Sequence, residues 1–317
     1  MRRIAHLSDV HILDSRAGTQ KARYRLATRF VSLGRGADPK DRTRKLARAL
    51  ASAKANGADH FVISGDLTEV GEESEFEHFA EVLHEAALPA ESVTLVPGNH
   101  DAYTLPNAWR RALEGPLARF AAGSAGKPGR VVDRGPVVFL PLDTSCFQTI
   151  AWSGGLFTKA MTEAVERRLV DPTFRHAAIV LVVHHPPFHP HALPLIRWID
   201  GLRGGAEVLQ LLSRHPRLQL LHGHLHRVLD RILSAPSGDG SIFTRAPSVV
   251  AHANANARAP IRLFGAPATC ESEPADADPT PSRGASRPSA GGPCPYRLYD
   301  VHDGALHPVT VGTGQAA

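Results

Sequence analysis

His60-Phe61-Val62-Ile63-Ser64-Gly65-Asp66 runs an apolar stretch into a glycine and a carboxylate. The apolar run is the length of a buried strand, so Asp66 stands at a strand's carboxyl end. A carboxylate in that place either caps a following helix or bridges two cations with its two oxygens. The same arrangement recurs on both sides. Upstream, Arg3–Ser8 reads as a strand leading into Asp9-Val10-His11. Downstream, Ser92–Val96 leads into Gly98-Asn99-His100-Asp101, Ala178–Val183 into His184-His185-Pro186-Pro187, and Leu218–His222 into Gly223-His224-Leu225-His226.

Two of these patches pair their residues at i and i+2. In extended backbone such a pair points to one side, so Asp9 and His11 can face one metal, as can His224 and His226. Asn99 offers a neutral carbonyl oxygen or is simply a turn residue. His184 and His185 are adjacent and point differently, so only one fits a shared ligand. The five patches supply carboxylate, amide and imidazole but no thiolate. That donor set suits hard-to-borderline ions such as Mn, Fe or Zn rather than a structural zinc staple. A carboxylate shared by two such ions about 3.5–4 Å apart yields a hydroxide nucleophile at neutral pH.

The elements between the patches fix the fold class. Asp41–Asn56 has helical periodicity through Leu46, Ala49, Leu50 and Ala53, with Gly57 closing it. Glu72–Ala87 is a second helix with Phe76, Phe79, Ala80 and Leu83 on one face. This β-α-β-α-β rhythm implies a parallel sheet, and ligands of open α/β sheets gather at the strands' carboxyl ends. Val137–Leu142 is a further strand, and Thr158–Leu169 a helix. Leu229–Ser234, Gly240–Arg245 and Val249–Ala253 suggest antiparallel strands. Residues 265–295 hold seven prolines among Ala, Ser, Gly and acidic residues, a composition that cannot bury a core. Tyr296–Val301 and Ala305–Val311 read as a hairpin through His302-Asp303-Gly304. The expected organisation is one sheet-based domain over 1–264, a disordered Pro/Ala/Ser-rich insertion at 265–295, and a hairpin at 296–317 completing the same domain.

Composition narrows the class further. The 317 residues carry a formal charge of +5 and a pI near 9.4, which invites a nucleic-acid partner. Only six of the 36 basic residues are lysine and arginine is spread throughout, so the charge reads as compositional bias and no nucleic-acid partner is expected. Three cysteines are too few for a disulfide framework, and no apolar stretch reaches the ~20 residues of a membrane span. A cytoplasmic setting is expected. No hydrophobic segment follows Arg2-Arg3, and cleaving a leader of usual length would remove Asp9 and His11. His6 reads as core, while His189, His191, His222 and His252 are candidates for substrate contact. The Arg-rich connection at 14–39 is a solvated loop by default and a phosphate contact by alternative.

Together the blocks D-x-H, G-D, G-N-H-D, H and G-H-x-H resemble the calcineurin-like metallophosphoesterase superfamily over roughly residues 3–230. That resemblance implies an α/β fold, a four-layer αββα sandwich of two mixed sheets flanked by helices. It also implies two divalent or trivalent metal ions and a small phosphate-ester substrate. Carried over by position, one metal takes Asp9, His11, Asp66 and His226. The other takes Asp66, Asn99, His184 and His224, with Asp66 as bridge. His100 is implied near the substrate phosphate as proton donor to the leaving oxygen, with Asp101 orienting its imidazole. His185 packs or touches substrate. The context Ile63-Ser64-Gly65-Asp66-Leu67-Thr68 and Pro97-Gly98-Asn99-His100-Asp101 is similar to the bacterial class III cyclic-nucleotide phosphodiesterases and to a branch cleaving glycerophosphodiesters. In-line attack of a hydroxide on such diesters is the activity implied. Phosphomonoesterase or nuclease chemistry of the same superfamily is the alternative, and a non-catalytic binding module the remote one.

Overall fold

The computed structural model describes residues 2–14, 32, 38–189, 193–233, 261–271 and 296–310. The chain opens with strand β1 (Arg2–Leu7) and helix α1 (Pro39–Ala55). Asp38 caps α1 by accepting from the Lys40 amide at 3.0 Å, and Pro39 suits the first turn, where its missing N–H costs nothing. Leu46, Ala49, Leu50 and Ala53 form the buried face that the periodicity predicts. Gly57, at φ +82°, turns the chain into β2 (His60–Ser64), because a left-handed residue is strained for any side chain but glycine's. Helix α2 (Glu73–Glu85) buries Phe76, Phe79, Val82 and Leu83 and leads to β3 (Val93–Val96). As expected, β1, β2 and β3 are parallel.

After α3 (Ala108–Glu114) come β4 (Val132–Asp133), β5 (Val137–Pro141), β6 (Gly155–Leu156), α4 (Lys159–Leu169) and β7 (Ala178–Val182). There follow α5 (Pro194–Asp200), β8 (Leu202–Arg203), α6 (Gly205–Arg214), β9 (Leu218–His222), β10 (Leu229–Leu233), β11 (Ile261–Gly265), β12 (Arg297–His302) and β13 (Ala305–Val309). One large sheet has the order β13-β12-β1-β2-β3, the second β10-β11-β9-β7-β5-β4, and β6 and β8 pair as a small two-stranded sheet. Three apolar clusters show the layering. Ile4, Val62, Val96 and Tyr299 meet Phe139, Val180, Val182 and Leu221 between the sheets. The opposite face of the first sheet packs on α1, α2 and α3 through Leu46, Phe79 and Trp109. The outer face of the second packs on α4 and α6 through Val165, Val208 and Leu212. The architecture is therefore the expected four-layer αββα sandwich.

Residues 265–271, at the head of the stretch expected to be an insertion, are part of the folded body. Gly265 ends β11, Ala268 bridges Ser8, and Thr269 and Cys270 are buried. What rescues this proline-bearing segment is backbone pairing: the Thr269 amide donates to the Ser8 carbonyl at 3.0 Å and the Cys270 amide to Asp9 at 3.2 Å. The rest of that stretch, the strands expected at 240–245 and 249–253, and nearly all of the Arg-rich connection lie outside the described residues.

Candidate metal centre

All five patches meet at the carboxyl ends of the strands, in the seam between the sheets. They do not get there in extended backbone. Asp9, His11, Asp66, His224 and His226 have φ of 52°, 51°, 49°, 69° and 53°, the left-handed region. That corrects the extended i, i+2 reading of both pairs. A left-handed residue costs of order 1 kcal/mol or more and persists only where surroundings impose it. Here they do: the Asp9 amide donates to the Gly65 carbonyl at 3.1 Å and the His11 amide to Asp66 at 2.8 Å, so two strand tails clamp each other.

Asp66 sits at the centre. Its Oδ1 accepts from the His100 amide at 2.9 Å, and its Oδ2 faces His184 Nε2 at 3.3 Å, His11 Nε2 at 3.8 Å and His100 Nε2 at 3.9 Å. Oδ2 is thus the oxygen that faces the imidazoles, while Oδ1 is engaged by a backbone amide. A side chain at Gly98 would collide with the Asp66 carboxylate, so only glycine permits this approach. His226 Nε2 lies 3.2 Å from Asp9 Oδ1. The ligand atoms of Asp9, His11 and His226 lie within 4.8 Å of one another, as do those of Asp9, Asp66 and His184. With bonds of about 2.0–2.2 Å, ligands at right angles on one ion stand about 3 Å apart, which these spacings approach.

The site also fits metal by what it leaves unmade. Asn99 Oδ1 is buried and makes no hydrogen bond, and Asp9 Oδ1 and His184 Nε2 are buried with only a misaligned imidazole at 3.2 Å and a misaligned carboxylate at 3.3 Å facing them. Leaving such groups unsatisfied costs about 1–3 kcal/mol each, a cost that a cation would remove. Asn99 Nδ2 donates to the Tyr103 hydroxyl at 2.7 Å, which fixes the amide and leaves its buried Oδ1 available to a cation.

Three of these imidazoles are held by a hydrogen bond at the nitrogen away from the cluster. His184 Nδ1 donates to the Ser64 carbonyl at 2.7 Å, leaving Nε2 for a ligand. His226 Nδ1 is 2.6 Å from Glu271 Oε1, and His224 Nε2 is 3.0 Å from Asp200 Oδ1. His11 Nδ1 faces Glu69 Oε2 at 3.6 Å. Such partners orient a ligating ring and raise its basicity. Sequence reading missed Glu69, Tyr103, Asp200 and Glu271, because nothing in their spacing marks them.

Charge follows from burial and proximity. Burial alone would raise the Asp66 carboxyl, but the charges of His184, His100 and His11 outweigh it and hold it well below the usual range. Asp9 is likewise lowered against burial, by His226 and His184. Conversely, burial would lower His184 and His226, yet Asp66 lifts the first to about 9, and Asp9 with Glu271 lifts the second to about 10. Without metal, protons on these rings supply the positive charge that the buried carboxylates require, and metal binding must displace them.

Three expected roles are corrected. Asp101 does not orient His100. It accepts from Leu67 N, Thr68 N, Thr68 Oγ1 and Gly98 N at 2.7–3.1 Å, knitting the second and third patches together. Neighbouring side chains in the 3-10 turn His100–Ala102 diverge, and His100 Nδ1 instead meets the Glu69 carbonyl at 2.6 Å. His185 is buried, with Nδ1 on Thr144 Oγ1 at 2.9 Å and Nε2 on the Ser153 carbonyl at 3.1 Å, so both ring nitrogens are engaged within the protein. His222 is enclosed in β9 and pushed down to about 4 by burial. His189 rests on Asp200 at 2.8 Å, while His191 and His252 lie outside the described residues.

The family model of the calcineurin-like phosphoesterases matches residues 2–228. The chain belongs to that family. The calcineurin-like phosphoesterases use a dinuclear metal centre, and this member is a metal-dependent phosphoric ester hydrolase. Among curated proteins, one from Pseudoalteromonas sp. (strain SM9913) named a probable cyclic nucleotide phosphodiesterase is 28% identical over 227 residues, 71% of either chain. Among solved structures, a dimetal phosphatase from Danio rerio superposes with a TM-score of 0.57 at 13% identity, covering 95% of this chain and 93% of its own. That likeness carries the fold. No helix among the described residues is long and apolar enough to cross a membrane.

Proposed function

We propose that this phosphoesterase is a phosphodiesterase acting on small diesters such as cyclic nucleotides or glycerophosphodiesters. The observation that carries the reading is the set of overlapping groups Asp9–His11–His226, His11–Asp66–His100 and Asp9–Asp66–His184, each with ligand atoms within 4.8 Å of one another. The resemblance to a protein named for cyclic nucleotides supports the diester class. Asp9, His11, Asp66 and His226 would hold one ion and Asp66, Asn99, His184 and His224 the other, with Mn, Fe or Zn suiting the donors. Bound cations would supply Lewis acidity and a nucleophilic water near neutral pH.

The chain's own groups complete the chemistry. His100 donates from Nδ1 to Glu69, which leaves Nε2 pointing at the cluster. A cationic His100 gives its Nε2 proton to the leaving oxygen and ends neutral, with Nδ1–H still on the Glu69 carbonyl, a step typically worth about 10²–10⁴-fold. Asp101 has no part in that transfer; it holds the loops at their spacing. A reducing, cytoplasmic setting belongs to the same reading and accords with the free thiols Cys146 and Cys270.

The test is to strip the protein with chelator, restore Mn²⁺, and compare bis(p-nitrophenyl) phosphate with p-nitrophenyl phosphate. Metal-restored cleavage favouring the diester is expected. Preference for the monoester would move the enzyme to the phosphatases.

A further inference from the structure

Beside the metal cluster lies a cavity of about 420 Å³ that no ligand of the cluster lines. Its walls include Phe188, His189, Arg197, Trp198, Leu202 and Arg203. The volume is within the range of about 300–1,000 Å³ typical of small-molecule pockets. Trp198 is 52% exposed, unusual for so large an apolar ring. It is not loose, because Trp152 packs edge-to-face against it with centroids 4.3 Å apart. Two of the chain's three tryptophans therefore meet at this point.

Both are wired to the metal cluster. The Trp152 carbonyl accepts from the Tyr103 hydroxyl at 3.2 Å, and that hydroxyl holds Asn99. Trp198 lies on α5, which ends at Asp200. One Asp200 oxygen meets His189, a cavity wall, at 2.8 Å, and the other meets His224 at 3.0 Å. A single carboxylate thus separates the cavity from a candidate metal ligand.

We propose that this cavity is the base-binding subsite for a nucleotide ester whose phosphate sits on the metal cluster. The proposal rests on the phosphodiesterase reading above. Trp198 supplies the stacking face, since every base has a π-face and aromatic stacking tolerates all of them. Arg197 and Arg203 supply N–H donors to the base edge, and Arg203 is steadied by Cys146 Sγ at 3.2 Å. Among the described residues, no carboxylate or carboxamide side chain lines the cavity. The edge it fits is therefore rich in acceptors, as the O6 and N7 of guanine are, and guanine is favoured over adenine.

The experiment uses the full chain loaded with Mn²⁺. Hydrolysis of 2′,3′-cyclic GMP, 2′,3′-cyclic AMP and glycerophosphocholine is measured for the wild type, Trp198→Ala and Trp198→Phe. Tryptophan fluorescence is followed while 5′-GMP or 5′-AMP is titrated. The wild type should prefer the guanine ester, and GMP should quench at lower concentration than AMP. In Trp198→Ala the ratio of kcat/KM for the cyclic nucleotide to that for glycerophosphocholine should fall about tenfold or more, through KM. Trp198→Phe should keep most of the ratio, because the stacking face survives.

An unchanged ratio in Trp198→Ala overturns the subsite and leaves the phosphodiesterase reading standing. So does a ratio unchanged while Trp198→Ala splits a dimer, which would make the face a contact between copies. Cleavage of glycerophosphocholine but no nucleotide overturns the subsite alone. If the wild type cleaves no diester, the phosphodiesterase reading falls. Quenching by GMP that persists in Trp198→Ala then removes the subsite as well.

Discussion

The same residue type meets opposite fates within a few positions of one strand. His6 on β1, His60 on β2 and His222 on β9 lie inside the sheets, fully enclosed. Burial pushes His60 down to about 3 and His222 to about 4, and His6 well below its ordinary range. His6 and His60 each spend a nitrogen on a neighbouring hydroxyl, of Ser64 and Thr94. Past the strand ends, His184 and His226 are as histidine-like in sequence, yet stand at about 9 and about 10. Burial opposes the charge in both regions. What differs is how closely a carboxylate approaches: Asp66 and Asp9 lie 3.3 and 3.2 Å from His184 and His226, whereas Asp9 acts on His6 and His222 too weakly to offset burial. A facing carboxylate at the strand end therefore separates these five histidines, and His185, just past β7 yet spent on Thr144 and Ser153, shows that the strand end alone is not enough.

The largest way to break the contrast is to remove the carboxylate at its centre. Asp66→Asn should lower kcat/KM at least ~10³-fold, because several kcal/mol of charge stabilisation go with it. Bound metal measured by atomic emission should drop with activity; full metal content would separate binding from catalysis and refute the bridge. Gly98→Ala tests the geometry instead, since its new methyl displaces Asp66. A misplacement of that kind costs on the order of 10²-fold in rate, with unfolding by denaturant as the check that the fold survives.

Smaller changes sharpen the comparison by touching only the groups behind the ligands. Glu271→Ala frees His226 Nδ1, and Tyr103→Phe frees the Asn99 amide. Each should weaken metal affinity about 10–100-fold by calorimetry, and the two should act on different ions. Identical loss of both ions in both variants would contradict the division of ligands.

The last test concerns the strand bodies and reads stability rather than activity. His60 has its folded pKa depressed, so between pH 6.5 and about 3 the unfolded chain binds more protons than the folded one. Stability is then present above the unfolded value and lost as pH falls, by at most about 1.4 kcal/mol per pH unit for one group. Thermal unfolding from pH 7 to 4 should show a shallower decline in His60→Gln than in the wild type.

Much of this was legible in the residues because β and α periodicities are local. His60–Ser64 and Leu218–His222 begin and end where the apolar runs do, and the patches fall where those runs stop. The left-handed backbone at Asp9 and His11 was not legible, because amide-to-carbonyl clamps from a different strand tail impose it. Glu271 and Asp200 escaped for a related reason. They act on histidines 45 and 24 positions away, and one carboxylate among many carries no local mark. Asp101 misled through adjacency: next to His100 in sequence, it turns away in space.

The first strand has a consequence for how the molecule is made. β1 lies between β2 and β12, and Arg3 forks onto the Asp300 carboxylate at 2.7 and 2.9 Å. Its partner is thus among the last described residues to leave the ribosome. Until then a nascent chain carries β1 with one edge of amides and carbonyls open, the kind of edge that recruits foreign strands. The enzyme's early half must wait for its late end, and a truncation before β12 would expose that edge for good.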